Sequence, residues 1–191
     1  VPVLSKPCVL AGACPGDLGD TEVLWRGRHL CVSKASGIVK LFGALEAALG
    51  YINFAAMSCK RQKRCLFRAY WSLFYLGLYL STGNDFYYNK SLYMLRKSLR
   101  CVLPMLPDSP LGWVYCLDRC CAAVNNARAW VRWAERRLAA IEEGREAILV
   151  LNHLSSLLFE IMRTCKHGVK TSRGVVIVEP KSNPASFPAW W

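Results

Sequence analysis

Acidic residues and histidine are scarce in this chain of 191 residues: 13 Asp and Glu stand against 25 Lys and Arg, with three histidines. His29, His153 and His167 are scattered, and none has a second ligand at a spacing that sets both on one helical face, so histidine metal centres find no support. The acidic stretch Glu142, Glu143 and Glu146 around Arg145 lacks the Glu-x-x-His repeat of a carboxylate metal bundle and reads as a solvated segment with local ion pairs. No Cys-x2-Cys pair, Gly-x4-Gly-Lys-Ser/Thr phosphate loop, dinucleotide fingerprint, His-Glu-x-x-His or Gly-x-Ser-x-Gly occurs. These absences predict a protein that is not an enzyme and that has no cofactor, no metal and no small-molecule substrate.

What is present is apolar and basic. The apolar fraction is 53%, the charged fraction 20% and the mean hydropathy +0.18, which is greasier than a soluble protein with roughly 25% charged residues. That excess apolar surface calls for lipid or a partner protein. The net charge of +12 and pI near 9.4 favour anionic headgroups, nucleic acid or an acidic partner. Most of the ten cysteines fall inside helical apolar patterns and read as reduced small hydrophobes, with Cys8 and Cys14 left as the pair that a bridge would join. The start at Val1-Pro2, without methionine, is what a processed or incompletely determined precursor shows.

Two apolar stretches, Leu41 to Cys59 and Leu66 to Leu80, flank the basic cluster Lys60-Arg61-Gln62-Lys63-Arg64. Ile38, Leu41, Phe42, Leu45, Leu49 and Ile52 recur on one helical face, with Gly43, Ala47 and Gly50 allowing close packing. Leu66 to Leu80 is apolar nearly all round and is expected to be buried in protein or lipid. Arg68 and the Asn84-Asp85 pair leave it short of the ~20 apolar residues of a clean span. Gly83 stops that helix, and a third runs to about Leu103 with Lys90, Arg96, Lys97 and Arg100 gathered on one arc, as on a helix lying on an anionic surface. Past Pro104, Pro107 and Pro110, a long helical region from Leu111 to Leu138, with a break near Asn125-Asn126, precedes a last helix that ends at His167-Gly168. Val175 to Val178 reads as one short strand without a partner, and the tail closes on Phe187, Trp190 and Trp191. The fold expected is mainly α: a bundle of about five amphipathic and apolar helices, membrane-associated, over 36–168, with an extended arm at 1–35 and a docking tail at 169–191.

In chain order these segments resemble the peroxin-eleven family of peroxisomal membrane proteins over roughly 36–167. Gly37-Ile38-Val39-Lys40-Leu41-Phe42 looks like the family's first amphipathic helix, and Leu66-Phe67-Arg68-Ala69-Tyr70 resembles its arginine-bearing second one. Trp113-Val114-Tyr115-Cys116-Leu117-Asp118 is similar to the aromatic segment that follows, and Arg132-Trp133-Ala134-Glu135-Arg136-Arg137 with Leu158-Phe159-Glu160-Ile161 resembles the last helical pair. The resemblance implies a membrane-shaping or scaffold role without enzyme chemistry.

The sequence therefore points to a non-catalytic accessory subunit of a mitochondrial inner-membrane energy-transducing complex, of the respiratory chain or ATP synthase. Its partners would be the other subunits and anionic lipid, with cardiolipin the natural bound phospholipid. Lys60, Arg61, Lys63, Arg64, Arg68, Lys90, Arg96, Lys97 and Arg100 would meet the lipid, and Phe187, Trp190 and Trp191 would dock on neighbours. A free peroxin-eleven-like remodelling protein of the peroxisomal membrane is one alternative. An organellar ribosomal protein is the other, since Arg128, Arg132, Arg136 and Arg137 interleave with Trp130 and Trp133.

Overall fold

The computed structural model describes residues 14, 16–110 and 112–181. A hairpin of β1 (Asp20–Trp25) and β2 (Arg28–Ser33) precedes three helices, α1 (Gly37–Ser58), α2 (Lys63–Thr82) and α3 (Asp85–Val102). Then come β3 (Trp113–Cys116), α4 (Arg119–Ala139), α5 (Glu146–Arg163), β4 (His167–Thr171) and β5 (Gly174–Val178). The expectation of a mainly helical chain with five helices holds, and two small sheets join it.

Ser36 opens α1, its hydroxyl accepting from the Val39 N–H at 3.4 Å. The buried face, Leu41, Ala44, Leu45, Ala48, Ile52, Ala55 and Ala56, packs on α4, whose own buried face is Ala123, Val124, Ala127, Val131, Ala134 and Leu138. Alanine on both sides lets the two backbones approach closely. The apolar helix α2 sits against α1, α3 and α5, which cover its face of Cys65, Leu66, Ala69, Leu73, Leu76 and Leu80, while Trp71 and Phe74 stay exposed. Among the described residues one helix, α1, is long and apolar enough to cross a membrane, and α2 is not.

Buried serines tie α2 to α3. The Ser72 hydroxyl donates to the Ser91 carbonyl at 3.0 Å, the Ser91 hydroxyl to the Ser72 carbonyl at 2.7 Å, and the Ser98 hydroxyl to the Cys65 carbonyl at 2.8 Å. Each fully buried hydroxyl is thereby satisfied, which avoids a desolvation cost of about 1–3 kcal/mol. The Asn84 side chain caps α3 by accepting from the Phe86 N–H at 2.9 Å.

Several segments differ from the sequence reading. Residues 20–33, expected within an extended arm, form a hairpin whose turn, Arg26-Gly27, has positive φ at both residues (51° and 78°), as a two-residue turn between twisted strands requires. Residues 113–116 are a strand rather than a helix start, because the helix begins only where Asp118 caps it, accepting from the Cys121 N–H at 2.7 Å. α4 continues unbroken through Asn125 and Asn126, and His167-Gly168 begins a strand. The strand at 174–178 does have a partner: β3, β4 and β5 form one antiparallel sheet, with Cys116 opposite His167 and Gly168 opposite Ile177. The Tyr115 ring lies over Gly168, where a Cβ would come within 2.2 Å of it. The cysteines are not all reduced either: Cys59 is bonded to Cys120, since the end of α1 meets the start of α4, and Cys116 is bonded to Cys121 across the short turn from β3 into α4. Cys8, Phe187, Trp190 and Trp191 lie outside the described residues.

The hairpin is clamped to the bundle by charge. Buried Trp25 donates its indole N–H to Glu143 at 2.9 Å, Arg28 pairs with the same carboxylate, and Arg26 pairs with Glu146 at 2.9 Å while lying over the Tyr79 ring. The Arg26 and Gly27 N–H groups cap α2 by donating to the Leu80 and Ser81 carbonyls. Arg28, then Trp25, hold the Glu143 carboxyl below its usual range. Burial works to raise that of Glu146, but Tyr79 and Arg26 outweigh it and the net shift is downward. A carboxyl with a depressed folded-state pKa contributes stability above its unfolded value, about 4.3, and loses it as pH falls through the folded value. Acid should therefore loosen the hairpin, and the Glu143→Gln, Glu146→Gln double variant should be less stable at neutral pH and lose less stability on acidification. Thermal melts across the acid range measure both effects.

Candidate functional site

The connection at 140–145 folds α4 and α5 into a helical hairpin. On it Arg128 is half-buried. Its Nε donates to the Asn125 side-chain oxygen at 3.2 Å, and its guanidinium lies 5.7 Å from the centre of the Phe159 ring. Arg132 follows one turn later on the same face. Burial, then the like charge of Arg132, push the Arg128 pKa down. The ion pairs among the described residues are Arg26–Glu146, Arg28–Glu143, Arg163–Glu160 and Lys166–Glu179, so no carboxylate pairs with Arg128 or Arg132. Two guanidiniums that repel each other, one of them beside an apolar ring, are suited to an anion, and their planar forks match phosphate oxygens.

A second cationic element precedes β1. Gly16 and Gly19 have φ of 87° and 91°, the Gly19 N–H donates to the Gly16 carbonyl at 3.0 Å, and the Lys34 N–H donates to the Gly19 carbonyl at 2.8 Å. A Cβ on Gly16 would fall 2.8 Å from Lys34 Cε, so glycine lets this turn close on the lysine. A glycine turn beside a lysine is a combination that cradles phosphate, although the Gly-x4-Gly-Lys pattern is absent.

Between α3 and α5 runs an apolar groove of 430 Å³. Leu92, Leu95, Leu99, Leu149 and Leu157 line it, with Arg96, His153, Ser156 and Glu160 as its polar groups. One helix thus serves two features, because α5 turns Phe159 toward Arg128 and turns Leu149, His153 and Leu157 toward α3.

The residues expected to meet lipid separate into two sets. Lys60, Arg61, Lys63, Arg64 and Arg68 line one open cavity with Phe67 and Trp71. On α3, Lys90 and Lys97 lie over the Tyr93 ring, Arg96 lines the apolar groove and Arg100 stands in the last turn. Arg68 joins the sets by donating to the Lys97 carbonyl at 3.0 Å. Arg128, Arg132, Arg136 and Arg137 are likewise not one stripe, since Arg136 and Arg137 stack on Trp133 at 5.4 and 4.4 Å. The burial that sets Arg128 apart depends on Phe159, 31 residues away in sequence, and composition carries no sign of it.

A family model described as cobalamin adenosyltransferase matches residues 12–165. No curated protein matches. The fold is similar to that of a PduO-type ATP:corrinoid adenosyltransferase from Lactobacillus reuteri. A phenylalanine-to-histidine variant of that protein, complexed with cobalamin and ATP, superposes with a TM-score of 0.64 at 17% identity, over 78% of this chain and 86% of that one. An arginine-to-lysine variant complexed with ATP gives 0.61 at 19% identity, over 78% and 89%.

These findings overturn the peroxin-eleven resemblance, which rested on the order of amphipathic helices, a property that any helical bundle shares. They also overturn the non-catalytic accessory subunit, its respiratory-chain or ATP-synthase setting and its partner subunits, because the family is one of enzymes. The remodelling and ribosomal alternatives gain no support. The expectation of no cofactor beyond a phospholipid such as cardiolipin, and of no small-molecule substrate, fails against relatives that bind a corrinoid and ATP.

If Arg128 and Arg132 await an anion, removing one should relieve repulsion while weakening binding. Arg132→Leu should leave the ligand-free melting temperature unchanged or slightly raised and weaken inorganic triphosphate binding roughly tenfold, or about 1.4 kcal/mol. Calorimetry of the free and titrated chain measures both.

Proposed function

The chain belongs to the cobalamin adenosyltransferase family, and we propose that it transfers the adenosyl group of ATP to the cobalt of a reduced corrinoid. The family match over residues 12–165 carries this reading. In such a transfer the bond between the ribose C5′ and the triphosphate oxygen breaks, a cobalt–carbon bond forms, and negative charge grows on the departing triphosphate. Groups fixed in place where that charge develops lower the barrier. Arg128 and Arg132 are suited to this role because no carboxylate offsets them and Phe159 excludes water from one side. The Gly16–Gly19 turn with Lys34 is a second candidate for the phosphates.

The α3/α5 groove supports the other half of the proposal. Its leucines would offer an apolar wall to a corrin ring, and Arg96, His153, Ser156 and Glu160 would supply the polar contacts that its side-chain amides need. At 430 Å³ it holds one edge or face of so large a ligand rather than enclosing it.

The test is steady-state kinetics with ATP and chemically reduced cobalamin, following adenosylcobalamin by its absorbance. Arg128→Ala should lower kcat/KM for ATP by about a hundredfold, the scale for loss of one fixed charge-stabilising donor. Lys90→Ala, which alters an exposed lysine over an exposed tyrosine, should behave like the parent. A parent chain without ATP-dependent conversion would refute the proposal.

A further inference from the structure

At the opposite end of the helices from the hairpin, a group of sulfurs takes no part in the site above. The end of α1 supplies Cys59, the first turn of α4 supplies Cys120, and the residues just after α5 supply Cys165. Cys59 is bonded to Cys120, and the buried Cys165 thiol lies 3.2 Å from Cys120 Sγ. Asp118 completes the group, and its carboxylate, Cys120 Sγ and Cys165 Sγ all lie within 4.8 Å of one another.

A structural disulfide needs two sulfurs and gains nothing from a third, buried thiol against it. Four ligands around a tetrahedral dication do need that clustering. With a metal–sulfur distance of about 2.3 Å, neighbouring sulfurs stand about 3.8 Å apart, so Cys120 and Cys165, now 3.2 Å apart, need separate by only about 0.6 Å, while the bonded Cys59 and Cys120 sulfurs move apart once reduced. A second observation points the same way. Arg61, whose charge acts on the Cys165 thiol, donates one Nη to the Lys181 carbonyl and has its Nε and other Nη buried without a hydrogen-bond partner. Three thiolates, a carboxylate and a dication carry a net charge of −2, of which the Arg61 guanidinium offsets one unit.

We propose that the reduced form of this cluster is a metal site in which Cys59, Cys120, Cys165 and Asp118 hold one soft, tetrahedral dication of the zinc class, and that the Cys59–Cys120 disulfide is its oxidised, metal-free form. Asp118 already fixes both ends of the site, since it accepts from the Cys121 N–H and from the Lys166 N–H at 2.9 Å. Reduction of the disulfide by a dithiol moves two electrons and two protons onto Cys59 and Cys120 and leaves the dithiol as a disulfide. Metal binding then releases the three thiol protons. The sulfur ligands select against magnesium and calcium.

The full chain, reduced and kept under argon, is titrated with cobalt(II) as a spectroscopic stand-in for zinc. The expected result is saturation at one equivalent, with sulfur-to-cobalt charge transfer and the visible bands of a tetrahedral ion. Cys165→Ser, which leaves the Cys59–Cys120 bond able to form, should bind at least tenfold more weakly, whereas Cys31→Ser, at an exposed free cysteine, should bind like the parent. If the reduced chain loses helicity, one equivalent of zinc should restore it. The proposal is overturned by a folded reduced chain that shows no one-equivalent saturation, by an octahedral spectrum, by Cys165→Ser binding like the parent, or by zinc failing to restore a reduced, unfolded chain. A thiol count showing that Cys59–Cys120 resists reduction overturns it as well.

Discussion

The close approach of α1 and α4 through facing alanines is the contact on which the rest of the molecule depends. Ala44, Ala48, Ala55 and Ala56 on one helix and Ala123, Ala127 and Ala134 on the other replace bulk with proximity. Larger side chains at these positions would force the helices apart, at about 1–3 kcal/mol for each overpacked site. The position of α4 decides where Arg128 and Arg132 lie relative to α5, and where Cys120 lies relative to Cys59. The arginine pair and the sulfur cluster are therefore two consequences of one packing interface.

The two ends of the bundle are closed by different physics. At one end the β1–β2 hairpin is held through Trp25, Arg26 and Arg28 on Glu143 and Glu146, an arrangement that combines burial of an indole with charge. At the other, the β3–β4–β5 sheet and the bonds Cys59–Cys120 and Cys116–Cys121 gather the ends of α1, α4 and α5. Between them the apolar groove and the uncompensated arginines flank α5, so a ligand bound there would rest on a rigid helix rather than on a loop.

The helices were legible in the sequence where periodicity and caps agreed. Gly83 ends α2 where the sequence predicts its stop, because its left-handed backbone acts locally. The strand at Val175 to Val178 was legible as a short apolar run, but its pairing and the strand at Trp113 to Cys116 were not, since both depend on His167 to Thr171, which meets them through contacts distant in sequence. The apolar excess was read as a need for lipid, but much of it is absorbed by the buried face of α2 and by alanine-lined interfaces. The site itself was hidden for a related reason. Arg128 looks like its basic neighbours until Phe159 is brought against it, and the Gly16–Gly19 turn matches no phosphate-loop pattern although it closes on Lys34.

The most direct measurement is phosphorus NMR of the reaction of this chain with ATP and reduced cobalamin, alongside mass spectrometry of the corrinoid. Intact triphosphate appearing one-to-one with adenosylcobalamin is the predicted result. ADP with inorganic phosphate, or unchanged ATP with unmodified corrinoid, would contradict adenosyl transfer at this site.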